Sequence, residues 1–324
     1  MHYKLFDRAF PKRIASCAAL LLPLLAVSPA HPQTATAAPA DKPIQTQPAS
    51  AQPASVAFWD IPDRLMAAML ASPPAKEEDR RARLRQYFVS AGCTGDHLSD
   101  LFLDPDKHHS ILQCTLPGDT ASRIVVTTGL PRNEMFNGAT DGWPNVAMLA
   151  MLYHALKAQP RHATFVFAAI AGKHGDLDLQ KHLVADGAPA PLAMVSLDDL
   201  GLGTPAFANL APNDLAASVR ANAEALQTEA WRMMYLMHID ATKRSVDSQS
   251  SPSTTLIAGL VRDGPKDLPR ILVFSNPVVL PGHQPAVTVP AFHQDYDYLG
   301  FFLADIDEKL APASPPAPPA TTPR

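Results

Sequence analysis

Residues 145–171, NVAMLAMLYHALKAQPRHATFVFAAIA, decide the fold. Residues 145–158 are apolar almost all round and are followed by Pro160, which predicts a largely buried helix that stops before the proline. Residues 162–171 are apolar almost throughout, which is the pattern of a strand covered on both faces. A buried helix followed at once by a covered strand is typical of proteins that alternate helices and strands around a parallel sheet.

Further helix and strand patterns extend this alternation in both directions. Helices are predicted at residues 75–91, 176–185, 216–236 and 296–310, and strands at residues 110–116, 123–128, 192–197, 271–274 and 286–289. The alternation predicts an α/β fold, a three-layer α/β/α sandwich with a mostly parallel mixed central sheet. In such folds ligands bind outside the carboxyl ends of the strands, so the residues that follow each strand are the candidates for a site.

Both ends of the chain are predicted to lie outside this fold. Residues 1–30 carry four basic residues, then an apolar run and small residues suited to cleavage, which is the pattern of a secretory signal peptide. An uncleaved membrane anchor is the alternative, although the apolar run is short for a span and contains Pro23. Residues 31–56 and 311–324 are rich in Pro and Ala, which predicts disorder. One folded domain, residues 57–310, is left.

Charge and cysteine usage narrow the class of protein and its compartment. The 324 residues carry 27 Lys+Arg and 31 Asp+Glu, a formal charge of -4. Loss of residues 1–30 would remove four basic residues and one acidic residue and leave -7. We therefore expect a secreted or periplasmic protein that binds no nucleic acid and has no membrane span after cleavage. In that compartment Cys93 and Cys114 are expected to form a disulfide, with two separate buried thiols as the alternative.

Charged and imidazole side chains lie where strands end or helices begin, or in a late loop. These candidates for a site are Asp141, Lys173, His174, Asp198, Asp199 and His293. Asp198 and Asp199 follow a covered strand, where charge is costly unless it is paired or bound to a metal. Each of the others, taken alone, also fits a solvated turn, a helix cap or a packing role. Together, their oxygen and imidazole donors suit zinc or a similar divalent ion.

Four segments near these residues carry a resemblance to a known family. They are IVVTTGLP (124–131), GATDGW (138–143), KH (173–174) and SLDDLG (196–201). The order and residue patterns of these segments resemble those of the secreted di-zinc aminopeptidases of peptidase clan MH. The resemblance extends from about Gly92 to Leu310. The family has a strand ending in G-A-H-x-D, then G-x-x-D-N-x-x-G before a helix, then a Glu-Glu pair after a strand, then N-L-D-x-x-G. The resemblance implies a zinc-aminopeptidase-like fold, with peptides or protein N-termini as partners.

The resemblance also implies roles for single residues, and several positions depart from the family pattern. Asp141 matches the Asp that bridges two zinc ions, and Asp198 matches a second Asp ligand, but Gly129 replaces the His that would share its metal. His174 stands at a Glu ligand of the other metal, and His293 stands at its late His. The ligands that remain would hold one zinc ion at most.

Lys173 stands where the family has its general base, a Glu that takes a proton from metal-bound water. A protonated ammonium group cannot accept that proton, and its charge repels a nearby metal. The sequence therefore predicts a degenerate, catalytically inactive relative of these aminopeptidases, with no catalytic residue assigned. Two alternatives stay open: an active metallohydrolase whose single-metal site cleaves N-terminal residues from peptides, and a shared architecture that carries another chemistry.

Overall fold

Seven strands form one mixed sheet in the computed structural model, which describes residues 60–104, 109–130, 142–171, 175–210, 216–239, 267–277 and 286–310. All of these residues belong to one unit within residues 54–324. The helices are α1 (Asp63–Leu70), α2 (Glu77–Ser90), α3 (Trp143–Lys157), α4 (Gly175–Leu183), α5 (Ala217–Leu236) and α6 (Val289–Leu310). The strands are β1 (Leu98–Asp104), β2 (His109–Leu116), β3 (Arg123–Gly129), β4 (Thr164–Ala171), β5 (Ala193–Asp198), β6 (Gly203–Asn209) and β7 (Arg270–Pro277).

The strand order is β1-β2-β4-β3-β5-β7-β6. The four strands β4, β3, β5 and β7 run parallel to one another at the centre of the sheet. β1 and β2 join one side antiparallel, and β6 closes the other side antiparallel to β7. The predicted α/β fold with a mixed sheet is therefore confirmed, with parallel pairing confined to the centre.

Helices pack on both faces of the sheet. The larger core lies on one face, where α2, α3, α5 and α6 bury apolar side chains against alternate residues of the strands. A smaller core lies on the other face, where Leu179 and Leu183 of α4 pack with Val125 and Met194 of β3 and β5. Within the described residues, no helix is both long enough and apolar enough to cross a bilayer.

The predicted strands at residues 110–116 and 123–128 are confirmed as β2 and β3, but they are not neighbours. β4 lies between them, antiparallel to β2 and parallel to β3. The chain therefore leaves β3, forms α3 on one face of the sheet, and returns as β4 into the gap next to β2. Because β3, β4 and β5 run parallel, their carboxyl ends lie at the same edge of the sheet.

The predicted strand at residues 286–289 is wrong. Residues 286–288 form no regular element, and Val289 is the first residue of α6, which begins earlier than the predicted Tyr296. Pro290 explains the difference, because the first turn of a helix has no internal partner for its N–H groups and tolerates a proline. The apolar, β-branched sequence AVTV favoured a strand only because its neighbours in space were unknown.

The predicted disulfide between Cys93 and Cys114 is present, with 6.3 Å between the two Cα atoms and both side chains buried. α2 ends just before it, and Gly92 takes a positive φ of 91° that lets the Cys93 N–H reach the Phe88 carbonyl at 2.8 Å. This is the usual glycine-assisted end of a helix. The disulfide ties that end to β2, inside the larger core.

Candidate functional site

The candidate site lies at the carboxyl edge of the parallel strands, where β5 ends at Asp198. Thr127 of β3 and Ser196 of β5 are paired in register, and their hydroxyl oxygens are 3.3 Å apart. Gly129 and Asp198 lie two residues further along the same two strands. Because side chains alternate along a strand, these two positions share the face on which the two hydroxyls meet. The β3–β5 ladder ends with Thr127 and Ser196, and both strands continue for two residues beyond it, to Gly129 and Asp198.

Gly129 leaves an open position beside that carboxyl group. It is exposed, and no described atom lies within 4 Å of where its Cβ would be. The resemblance requires an imidazole here to share a metal with Asp198, and glycine has no side chain to supply one.

Asn145, in the first turn of α3, holds Asp198 and the turn that follows it. Its side-chain Nδ2 donates to Asp198 Oδ1 at 3.2 Å, and its Oδ1 accepts from the backbone N–H of Leu200 at 3.0 Å. Asn145 is 3% exposed and Leu200 is buried, so the hydrogen bond between them is shielded from water, while the one to Asp198 is partly buried. The α3 start and the end of β5 are thus joined by one amide group.

The Asp198 carboxyl is electrostatically unfavourable when charged. Burial is the main cause that raises its pKa, the charge of Asp199 raises it further, and the result is a pKa of about 7. Hydrogen bonds from the Asp199 backbone N–H and from Asn145 act in the opposite direction. Asp199 itself takes a positive φ of 46°, a conformation that Asp tolerates better than most residues.

A second carboxyl group holds the same turn from the side of α6. Asp295 Oδ2 accepts from the backbone N–H of Gly201 and from the Ser275 hydroxyl, each at 2.6 Å. Asp295 is fully buried, and burial raises its pKa to about 7 although both hydrogen bonds lower it. The Gly201 carbonyl in turn accepts from the Thr288 N–H at 2.9 Å. The β5–β6 turn is therefore fixed from two directions.

His293 lies inside α6 and not in the loop that was expected. Its Nδ1 is 2.9 Å from Asp63 Oδ1 of α1, and its Nε2 is 3.9 Å from Asp297 Oδ1 one helical turn along. The contacts of Asp198 run instead to Asn145 and its own neighbours. The described contacts therefore place His293 beside Asp63 of α1 and Asp297 of α6, and none of them runs to Asp198.

Three of the predicted site residues, Asp141, Lys173 and His174, lie outside the described residues. Among the residues that are described, no group of three or more His, Cys, Asp or Glu side chains converges as a metal site would require. The resemblance implies zinc, and the described donor set fits it poorly. Asp198 offers a carboxylate at the end of β5, whereas Gly129, at the end of the neighbouring β3, has no side chain to act as a donor. No step of a reaction is therefore derived through a metal.

The sequence did not single out Asn145, Asp295 or Ser275, although they organise the turn. Asp295 carried a signal that was available. It interrupts the apolar stripe of α6 at the helical spacing of Phe292, Leu299 and other buried residues, so a carboxyl group in the core was predictable. The sequence held no comparable signal for the role of Asn145, since α3 is buried nearly all round. A polar residue in such a helix does not reveal which neighbour it contacts.

No protein-family model and no curated protein matches the sequence. Solved structures do match. LapA, an aminopeptidase of Legionella pneumophila, is 11% identical with a TM-score of 0.50, and the match covers 76% of this chain and 72% of LapA. The chain therefore shares its α/β fold with LapA.

Two glutaminyl cyclases extend this likeness of fold. The enzyme of an Acidobacteriales bacterium is 12% identical with a TM-score of 0.54, over 76% of this chain and 92% of the enzyme. The enzyme of Porphyromonas gingivalis is 11% identical with a TM-score of 0.51, over 75% of this chain and 95% of the enzyme. At these identities the likeness concerns the fold alone, so the chemistry of this chain has to be argued from its own residues.

Proposed function

We propose that this protein is an exported, non-catalytic relative of the zinc aminopeptidases, whose fold serves as a binding module. The observation that carries the proposal is that β3 ends in Gly129 while its parallel neighbour β5 ends in Asp198. An aminopeptidase-type metal would need a donor from both positions, and only one of them has a side chain. A missing ligand weakens metal binding as well as the reaction that depends on it.

Lys173 supports the proposal from the sequence. The resemblance puts a general base at this position, and loss of such a base lowers a rate by about 10²- to 10⁴-fold. A lysine ammonium also disfavours a cation nearby, so the two substitutions act in the same direction. By the resemblance both changes fall on one site, where their effects on turnover would compound.

The binding role follows from the same edge of the sheet. Ligands of open α/β sheets lie outside the carboxyl ends of the strands, and this edge carries Asp198 and Asp199 beside the open position at Gly129. Carboxyl groups there suit a cationic group such as the free amine of a peptide or of a protein N-terminus. The signal-peptide pattern of residues 1–30 supports the proposed export to the periplasm or the secreted fraction.

A substrate panel tests the loss of catalysis. The purified mature domain is incubated with zinc or cobalt and aminoacyl chromogenic substrates, next to Asp141→Ala, Asp198→Ala and the control Asp119→Ala. Asp119 is an exposed turn residue beside Arg161, before β3 and β4 begin, so it lies far from the strand edge that carries Asp198. The proposal expects no turnover above background in any of the proteins. Turnover that both site variants abolish and Asp119→Ala retains would refute it.

A working metallohydrolase with a single metal ion is the second candidate. It is favoured by Asp198, which retains a carboxylate at the strand edge, and by the fold shared with enzymes. Metal analysis after zinc loading separates the two candidates. About one tightly held equivalent, lost in Asp198→Ala, would support the hydrolase and its open coordination position. If the protein retains far less than one equivalent of zinc, the result would support the non-catalytic proposal.

A further inference from the structure

The β5–β6 turn loses its sheet contacts at the residue where the candidate site begins. The ladder between β5 and β7 ends with the pair Asp198 and Phe274. The next residue, Asp199, takes a left-handed conformation that is unfavourable for most side chains. Something outside the sheet must therefore hold the turn, or the direction of the Asp198 carboxyl would not be fixed.

Asn145 holds the turn through both polar groups of its side-chain amide, the carbonyl oxygen and the NH₂ group. A backbone N–H can only donate, so the Asn145 atom that faces Leu200 must be Oδ1, and Nδ2 is left to face Asp198. Leu200 is fully buried, so removal of Asn145 would leave its N–H without an acceptor in the closed turn and would favour opening of the turn to water. An unsatisfied buried donor is costly, which makes this contact a strong constraint on the turn.

A metal ion would make the same connection in a different way. By the resemblance, metal ligands come from the segment before α3 and from the end of β5, so a bound ion would tie these two segments together. In this chain the first turn of α3 and the end of β5 are already tied by direct hydrogen bonds through Asn145. Asp295 secures the far side of the turn at Gly201.

We infer that Asn145 is the positioning residue of this edge: it fixes Asp198 and the β5–β6 turn against α3 and takes over the cross-linking role of a metal ion. The inference rests on the proposed function only in treating the metal as dispensable. It makes no use of turnover, because its evidence is the pair of contacts to Asp198 and Leu200.

Hydrogen exchange of single backbone amides tests the inference. In Asn145→Ala the Leu200 amide should exchange about tenfold faster or more, because it loses its acceptor, while the Gly201 amide, held by Asp295, changes much less. In the unsubstituted protein, neither zinc nor a chelator should alter the exchange of the Leu200 amide. The matched control is Asn222→Ala, which removes a side-chain amide bonded to the Leu192 carbonyl, just before the opposite end of β5.

A second variant keeps the test decisive if Asn145→Ala does not fold. Asn145→Asp retains an acceptor for the Leu200 N–H but sets a second carboxyl group against Asp198, so it is measured below pH 7, where the two groups can share a proton and the Leu200 amide should stay protected. The inference is overturned if the Leu200 amide exchanges equally in Asn145→Ala and in the unsubstituted protein. It is also overturned if Asn145→Asp exposes that amide, or if zinc slows its exchange in a manner that requires Asp198. Failure of the proposed function would appear in the substrate panel, which is a separate measurement.

Discussion

The Asp295 carboxyl of α6 accepts a hydrogen bond from the Gly201 backbone N–H at 2.6 Å, although the two residues are far apart in sequence. This contact joins the last helix of the fold to the turn that carries Asp198. It buries a carboxyl group completely, and an ionised carboxylate in such a place is costly. Stability and pH are therefore linked through a residue that packs beside the candidate site.

Asp295 predicts that stability falls as pH rises through the mildly acidic range. Burial raises its pKa from 3.8 to about 7, so between these values the folded protein holds a proton that the unfolded chain has released. The folded state then binds more protons than the unfolded state, and the free energy of unfolding should decrease by about 1.4 kcal/mol per pH unit from this group. Chemical denaturation at a series of pH values across this range measures the slope.

Two variants isolate the contribution of Asp295 from that of Asp198, whose pKa is also raised to about 7. Asp295→Asn keeps the shape but cannot titrate, so its slope should be shallower than that of the unsubstituted protein. Ser275→Ala keeps the carboxyl and removes a hydrogen bond that lowers its pKa, so the slope should persist to a higher pH. Equal slopes for Asp295→Asn and the parent would contradict the assignment.

Gly201→Ala is expected to destabilise the fold more than an ordinary glycine substitution. Gly201 has a φ of 82°, and a Cβ at this position would lie 2.8 Å from Val287 Cγ1. Gly187→Ala is the matched control, since Gly187 has a φ of 77° and no described atom within 4 Å of its added Cβ. Gly187→Ala should lower the free energy of unfolding by about 1 kcal/mol because of the backbone conformation alone. Gly201→Ala should lower it distinctly more. Similar midpoints in urea for the two variants would be the contrary result.

Removal of the disulfide is expected to lower the free energy of unfolding by about 3 kcal/mol, because the unfolded chain would regain the freedom of a loop of this length. Cys93 and Cys114 are separated by 21 positions, and both are buried. The double variant Cys93→Ala/Cys114→Ala should unfold at a lower denaturant concentration. Addition of a reductant should bring the parent protein close to the double variant and leave that variant unchanged.

Asp307, near the end of α6, is expected to stabilise the start of β4. Its two carboxylate oxygens accept from the backbone N–H groups of His162 and Ala163 at 2.8 and 2.7 Å. Asp307→Asn replaces one acceptor by a donor that faces an N–H, so it should cost about 2 kcal/mol. Glu308→Gln, at the next and exposed position, is the control and should have little effect. Thermal unfolding of the two variants decides between these outcomes.

Gly129→His/Lys173→Glu is expected to gain zinc affinity, because it restores a donor at the open position and removes a cation that the sequence puts nearby. Binding measured by isothermal titration calorimetry should be tighter than in the parent by about tenfold or more. The triple variant that adds Asp198→Ala should lose this gain. If the parent already binds zinc as tightly as the double variant, Gly129 is not the reason for a weak site.

The centre of the fold was predictable because it is recorded in local sequence. The apolar runs of β4 and β5 can lie only between two layers, and the apolar helix α3 can lie only against them. β1, β6 and α1 were not predicted. β6 contains Pro205, which argues against a central strand but is tolerated in a strand at the edge of a sheet, and that position depends on pairing that no local pattern records.

The candidate site was only partly predictable for the same reason. Asp198 could be found because a carboxyl group at the end of a covered strand is unusual. Asn145 acquires its role through contact with a residue 53 positions away, and Asp295 through one 94 positions away. His293 was expected in a loop because the residues just before and at the start of α6, AVTV (286–289), have the apolar, β-branched pattern of a strand.

The insertion of β4 between β2 and β3 has a consequence for how the chain is made. During synthesis from the amino end, β1 and β2 emerge first, yet the remainder of the sheet that β2 joins does not exist until β4 has followed. The bond between Cys93 and Cys114 spans only residues that are already available at that stage. If the protein is exported as proposed, an oxidising compartment would fasten this early hairpin to its helix before the later strands have been made.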